Sequence, residues 1–176
     1  TGETNLSEAS AKGYFHLFTS AVYFFPILGA IISDFFFGKY KTIIFLSLVY
    51  CLGHFVLAID PSKIGLSLGL SLIAIGSGGI KPCVSAHLGD QFNKKNVSLI
   101  SKAYSWFYLA INLGAFTSTL LIPYILEKYS AELAFGIPGI FMFLATLFFW
   151  MGRYKFIHIK PMKKNSFLEL FNKKNI

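Results

Sequence analysis

The chain is short of charge and shorter still of acid. Charged residues make up 14% of its 176 positions, against roughly 25% in soluble domains, and eight Asp and Glu stand against sixteen Lys and Arg. A soluble globule covers its surface with polar side chains. Here 55% of residues are hydrophobic and 18% aromatic, with 20 Phe, so a small soluble domain is excluded. The same composition excludes intrinsic disorder. Cysteine is scarce too. Cys51 and Cys83 both sit in apolar stretches, which excludes a disulfide framework and reads as two small buried side chains.

What the chain does have is length without charge. Five stretches contain no Asp, Glu, Lys or Arg: 13–33, 42–59, 64–80, 103–126 and 133–152, of 21, 18, 17, 24 and 20 residues. A membrane-spanning helix needs about 20 such residues, within a range of about 17 to 25. The expected spans are about 13–34, 42–59, 64–88, 103–126 and 133–152, the third carried through Lys81. Pro26, Pro82, Pro123 and Pro138 fall inside them and are tolerated where neighbouring helices re-satisfy the backbone. Gly65, Gly69, Gly76, Gly78 and Gly79 suit close helix contact. The stretch from Gly76 to Pro82 is expected to be irregular.

The net charge of +8 would suggest a nucleic-acid partner on a soluble protein. Its placement suggests topology instead. Alternate connecting segments carry twelve Lys or Arg on one side and three on the other, with Lys81 between them. The rich side is therefore expected in the cytoplasm, and no nucleic-acid role is needed. The expected organisation is a partial bundle over 1–152 and a basic cytoplasmic tail over 153–176. That tail is either a solvated linker or, through Phe167, Leu168, Leu170 and Phe171, an interfacial helix. Five spans put the two ends on opposite sides, which predicts at least one further span upstream.

Lys81 is the most informative residue. It lies about 10 Å inside the membrane from the basic end, where a charge is costly and normally faces a pore or a partner. Snorkelling is its plainer reading. No carboxylate occurs within the five apolar runs, so its partner is expected on a helix outside these residues. The surrounding Gly76-Ser77-Gly78-Gly79-Ile80-Lys81-Pro82 lacks the spacing of a phosphate loop. His16, His54 and His87 could each carry a proton or a packing hydrogen bond. None has metal-ligand spacing, no nucleophile stands beside a base, and neither an enzyme, a metal nor a cofactor is expected.

Three ordered motifs then point one way. Gly29 to Ile43, with Asp34, Gly38, Lys39 and Thr42, is similar to the second-span signature of the proton-dependent oligopeptide transporters. Gly79-Ile80-Lys81-Pro82-Cys83, followed by Gly89-Asp90-Gln91-Phe92, resembles their fourth-span motif. Tyr104 to Phe116, with Trp106, Phe107, Tyr108, Asn112 and Gly114, resembles their fifth. The resemblance implies an all-α membrane protein with the major facilitator fold. The five helices would be spans two to six of the amino-terminal six-helix bundle, completed by a first span and a second six-helix bundle. It implies proton-coupled symport of di- and tripeptides by alternating access, in the cell (inner) membrane.

Roles follow from the matched positions. Lys81 would bind the peptide carboxylate and couple to the proton through a Glu-x-x-Glu-Arg motif on span one. Asn112 would bond the amino end of the peptide, and Tyr23 and Tyr108 would line the pocket. His16 would handle protons or simply pack. Asp34, Gly38, Lys39 and Asp90 would form the cytoplasmic gate. His87-Leu88-Gly89 departs from the family's usual Phe-Gly-Gly at that gate. Two alternatives stand beside this reading: a related carrier of another solute such as nitrate, and a truncated remnant that does not transport.

Overall fold

The computed structural model describes residues 8–162, with side chains from Lys12 onward. The possible interfacial helix over 166–176 lies outside the described residues. The described chain is five long helices: α1 Glu8–Ile32, α2 Lys39–Ile59, α3 Lys63–Gly89, α4 Ile100–Lys128 and α5 Ala131–Met151. All five are long and apolar enough to cross a membrane. The shortest has 21 residues and the longest 29, about 32 and 44 Å of helix. They outrun the charge-free stretches because lysines at the ends extend the helix into the interface.

The ends are set by local chemistry. α1 widens into a π-helical turn, Ser33–Phe37, and stops at Gly38. There φ is +78°, a region open to glycine and strained for other residues. Between α2 and α3 the Asp60 carboxylate accepts the Ser62 amide at 2.9 Å, and the Ser62 hydroxyl caps α3 by accepting the Gly65 amide at 3.1 Å. The bonds from Ser62 hold the Asp60 pKa below the ordinary carboxylate value. This support is therefore present at neutral pH and is lost only as pH falls through that depressed value. Ser130 caps α5 the same way through the Leu133 amide, at 3.3 Å.

α3 is the centre of the bundle. It packs against α2 and α1, α2 also packs against α5, and α4 leans on α5 at the edge. Ile43, Leu46, Leu57, Ile73, Ala74 and Cys83 form the buried core. Cys83 is fully buried and Cys51 half-buried, and both are free thiols.

The α3 contacts are made through missing side chains. A Cβ on Gly29 would overlap the Gly79 backbone, and one on Gly79 would overlap the Leu46 side chain. Gly53 and Gly69 bring α2 and α3 together in the same manner. Membrane helices gain little from hiding apolar surface, since lipid is equally apolar, so close backbone packing holds them together. This corrects the expectation of an irregular stretch at 76–82. α3 is regular through Pro82, because the glycines there are held in helix crossings and their freedom is not spent on a break. Outward, Phe15, Phe116 and Phe148 are 64%, 65% and 69% exposed, a surface suited to lipid or to further helices. The protein is an integral, multi-pass membrane protein.

Gly29→Val is expected to force α1 off α3, costing about 1–3 kcal/mol and lowering the thermal unfolding midpoint of the detergent-solubilised full-length protein. Gly136→Ala, whose Cβ would meet Ala58 at an ordinary 3.8 Å, should leave that midpoint close to the parent's. Equal midpoints for all three proteins would refute the crossing.

Candidate functional site

Two constellations emerge, one at the basic end and one partway along the helices. At the basic end Lys39, the first residue of α2, donates to both Asp90 oxygens at 2.8 and 2.9 Å. The two are 51 positions apart in sequence. Lys39 is 21% and Asp90 13% exposed, so the pair is partly desolvated and stronger than a surface pair. Gly38 turns the chain so that α2 starts against the end of α3. Asp34 stands in the same corner with other partners: the Ser33 hydroxyl donates to its carboxylate at 3.3 Å, and the Met162 amide donates to its carbonyl at 2.7 Å. The four expected gate residues therefore share one end, with Lys39 and Asp90 as the ion pair.

Sequence reasoning missed the rest of this corner. Gln91 clasps the returning chain after α5. Its amide oxygen accepts the Ile157 N–H at 2.8 Å, and its amide nitrogen donates to the Ile157 carbonyl at 3.2 Å. Phe156 stacks on Phe149 with ring centroids 5.1 Å apart, and His158 meets Tyr40 edge-on at 4.7 Å. The tail thus returns across the ends of α2 and α3 as a strap. The alternation Phe156-Ile157-His158-Ile159-Lys160 is the one signal in the sequence for an extended segment there.

The second constellation contains Lys81, which is exposed. Among the described residues it makes no ion pair, unlike Lys39 with Asp90. It lies about 200° around α3 from Gly79, which meets Gly29, and about 60° from Gly78, which meets Phe25, at the edge of the α1 crossing. One turn further on, the Tyr104 hydroxyl donates to the Ser85 carbonyl at 2.8 Å, tying α4 to α3. Tyr104 stacks on Tyr108 at 6.2 Å, and the Asn112 amide donates to the Tyr108 carbonyl at 2.8 Å, leaving its carbonyl oxygen as an acceptor. Tyr108 is 53% and Tyr23 78% exposed. Counting helical rise from the basic end, Lys81 and Tyr108 lie at about 14 Å and Asn112 at about 20 Å. α1 meets α3 where Gly29 lies against Gly79 and Phe25 against Gly78, so Tyr23 lies roughly 8–12 Å beyond Lys81 toward the opposite end. His16 lies about 10 Å further still, exposed, with its ring 5.8 Å from Phe15.

The POT family profile matches residues 40–174 of this chain. The chain belongs to the POT family. It is 42% identical to human "Solute carrier family 15 member 2", over 94% of this chain and 25% of that protein. It is 43% identical to "Peptide transporter family 1" of Drosophila melanogaster, over 87% of this chain and 23% of that protein. A crystal structure of the POT family transporter PepTSo superposes with a TM-score of 0.84 at 54% identity, covering 88% of this chain and 31% of that one. The POT chain described here spans about a quarter of the curated relatives and about a third of the solved transporter. Its five helices have the major facilitator fold and correspond to spans two to six of the amino-terminal bundle.

Removing either Lys39 or Asp90 leaves a partly buried charge without its mate. A double-mutant cycle with Lys39→Ala and Asp90→Ala in the full-length protein, read by unfolding midpoint, should give a coupling of about 1–2 kcal/mol. Strict additivity would mean that the pair contributes nothing.

Proposed function

We propose that these helices form most of the first bundle of a proton-coupled symporter for di- and tripeptides. The carrying observation is Lys81. An exposed ammonium partway along a membrane helix, with no carboxylate partner among the described residues, lies level with Tyr108 and within about 6 Å of the level of Asn112, in a POT-family chain. The Drosophila melanogaster relative is named as a peptide transporter, which supports a peptide cargo over nitrate. Family membership and a regularly packed fold give no support to a remnant.

The chemistry suits a zwitterionic peptide. A lysine at this depth attracts the peptide carboxylate, an attraction of about 4 kcal/mol at 4 Å and an effective dielectric of about 20. The free oxygen of Asn112 accepts from the peptide's amino end, and the rings of Tyr23 and Tyr108 supply apolar walls with polar tips. Without peptide, Lys81 pairs with a carboxylate from another helix of the same protein. Protonating that carboxylate frees the lysine for substrate, which couples the two cargoes. His16, roughly 20 Å nearer the opposite end, serves as a proton-entry group and does not contact Lys81. The basic end faces the cytoplasm by its lysine excess. There Gly38 and the Lys39–Asp90 pair brace the first bundle while it rocks against the second, with Asp34 anchoring the strap. The protein resides in the cell membrane with its tail inside.

The full-length protein, reconstituted in vesicles, is expected to accumulate a labelled dipeptide under an inward proton gradient. Lys81→Ala should reduce gradient-driven uptake to background without changing insertion. Active uptake retained in the variant, or nitrate outcompeting dipeptide in the parent, would overturn the proposal.

A further inference from the structure

α4 is held lightly. It leans on α5 at the edge of the bundle, and its buried residue, Ile125, is far from the basic end. The half of α4 nearer that end carries Tyr108 and Asn112. This half is tied to α3 by the Tyr104 hydroxyl, which donates to the Ser85 carbonyl at 2.8 Å. We propose that Tyr104 is a positioning residue: its bond to Ser85 sets the gap between α3 and α4, and that gap selects peptides by length. The proposal rests on the peptide-transport reading given above.

Three observations carry it. First, α3 is shaped to admit the hydroxyl. A Cβ on Gly89 would lie 2.9 Å from the Tyr104 oxygen, too close for a carbon, and would push that oxygen off the Ser85 carbonyl. Ser85 and Gly89 are neighbours on one face of α3, and that face meets Tyr104. Second, the bond is an additional fastening. The chain between α3 and α4 is already braced, since the Asn96 side chain donates to the Gln91 carbonyl at 3.3 Å and accepts the Asn93 amide at 2.6 Å. A helix fastened only at its start can pivot there. Tyr104 adds a point about 6 Å along α4, and two points fix a direction.

Third, the fastening lies next to the proposed site. On α3, Lys81 stands one turn before Ser85, about 6 Å along and 40° around. On α4, Tyr108 and Asn112 stand one and two turns beyond Tyr104, about 6 and 12 Å along. The Tyr104 ring stacks on Tyr108 at 6.2 Å, and the Asn112 amide donates to the Tyr108 carbonyl at 2.8 Å. A line of contacts therefore runs from Ser85 through Tyr104 and Tyr108 to Asn112.

A gap of fixed width measures length. In the proposed site the peptide carboxylate goes to Lys81 on α3 and the amino end to Asn112 on α4. Each residue lengthens a peptide by at most about 3.3–3.6 Å. When the gap widens, the shortest peptide is the first that cannot reach both helices, while a longer one still bridges them. Tyr104 acts here through the placement of α4 and holds neither end of the peptide.

Full-length protein in vesicles tests this by uptake of a labelled dipeptide and a labelled tripeptide. Tyr104→Phe keeps the ring and its stack and removes only the hydroxyl. It is expected to raise KM for the dipeptide about fivefold, the scale of one neutral hydrogen bond, and to change KM for the tripeptide less than about twofold. The maximal rate should be unchanged for both. Gly89→Ala breaks the same bond from the α3 side and should reproduce this pattern, with the double variant no worse than either single one. Ser105→Ala, which removes a hydroxyl bonded within α4 to the Ser101 carbonyl, should behave as the parent. An equal change for the two peptides, no change, or the same pattern in Ser105→Ala overturns the proposal. A further readout needs no transport. Nitroxide-bearing unnatural amino acids at Phe45 of α2 and Leu109 of α4, both exposed, report the placement of α4 by pulsed electron paramagnetic resonance. Their distance distribution should broaden in Tyr104→Phe by about 3 Å, the rise of one peptide residue; an unaltered distribution overturns the proposal. Failure of the parent to take up either peptide overturns the peptide-transport reading and length selection with it, and the label distances then decide whether Tyr104 holds α4.

Discussion

The bundle depends on how closely the α3 backbone can approach α1 and α2. Gly79 lies against Gly29 and Leu46, and Gly69 against Gly53 and Leu57, where a methyl group would overlap its neighbour. In a bilayer this contact has no hydrophobic substitute. It also fixes the rotation of α3 about its own axis. With one face held by α1 and α2, Lys81 is left exposed beside the α1 crossing, where a charge can meet a partner. The glycines and the lysine are parts of a single arrangement: one face packed without side chains, the other carrying a side chain the membrane would reject.

Electrostatics divide the molecule into two regimes. At the basic end the Lys39–Asp90 pair, the Asp34 carbonyl and Gln91 meet near water, and each polar group finds a partner on a distant segment. Partway along the helices the charge on Lys81 has no such partner within the described residues. The first regime fastens helix ends and strap into one unit. The second leaves a cation exposed. Under the function proposed above, a bundle that rocks as a body needs both, because a loose end would absorb movement that begins around Lys81.

Much of this was legible in the sequence, for reasons that can be named. The five spans show because charge is excluded from hydrocarbon, and that exclusion acts on local composition. The importance of Lys81 shows for the same reason. Asp34, Gly38, Lys39 and Asp90 were legible as one end through their place between spans, though not which of them pair. The regularity of α3 was not legible. Glycine and proline locally favour a break, and the restraint that overrides them comes from Leu46 and Gly29 on other helices. The strap was hidden for a related reason, since Gln91 and Ile157 are 66 positions apart and nothing in either segment names the other.

Composition and spacing by themselves determined that the chain crosses a membrane, where it crosses, and that one intramembrane cation is exceptional. These are consequences of moving residues from water to lipid, a cost each segment bears alone. Tertiary structure decided which face of α3 carries Lys81, how far along the bundle Tyr23, Tyr108 and Asn112 stand from it, and which carboxylate holds Lys39. Those depend on the rotation and offset of one helix against another, set by the sum of close contacts over the whole interface and by no single segment.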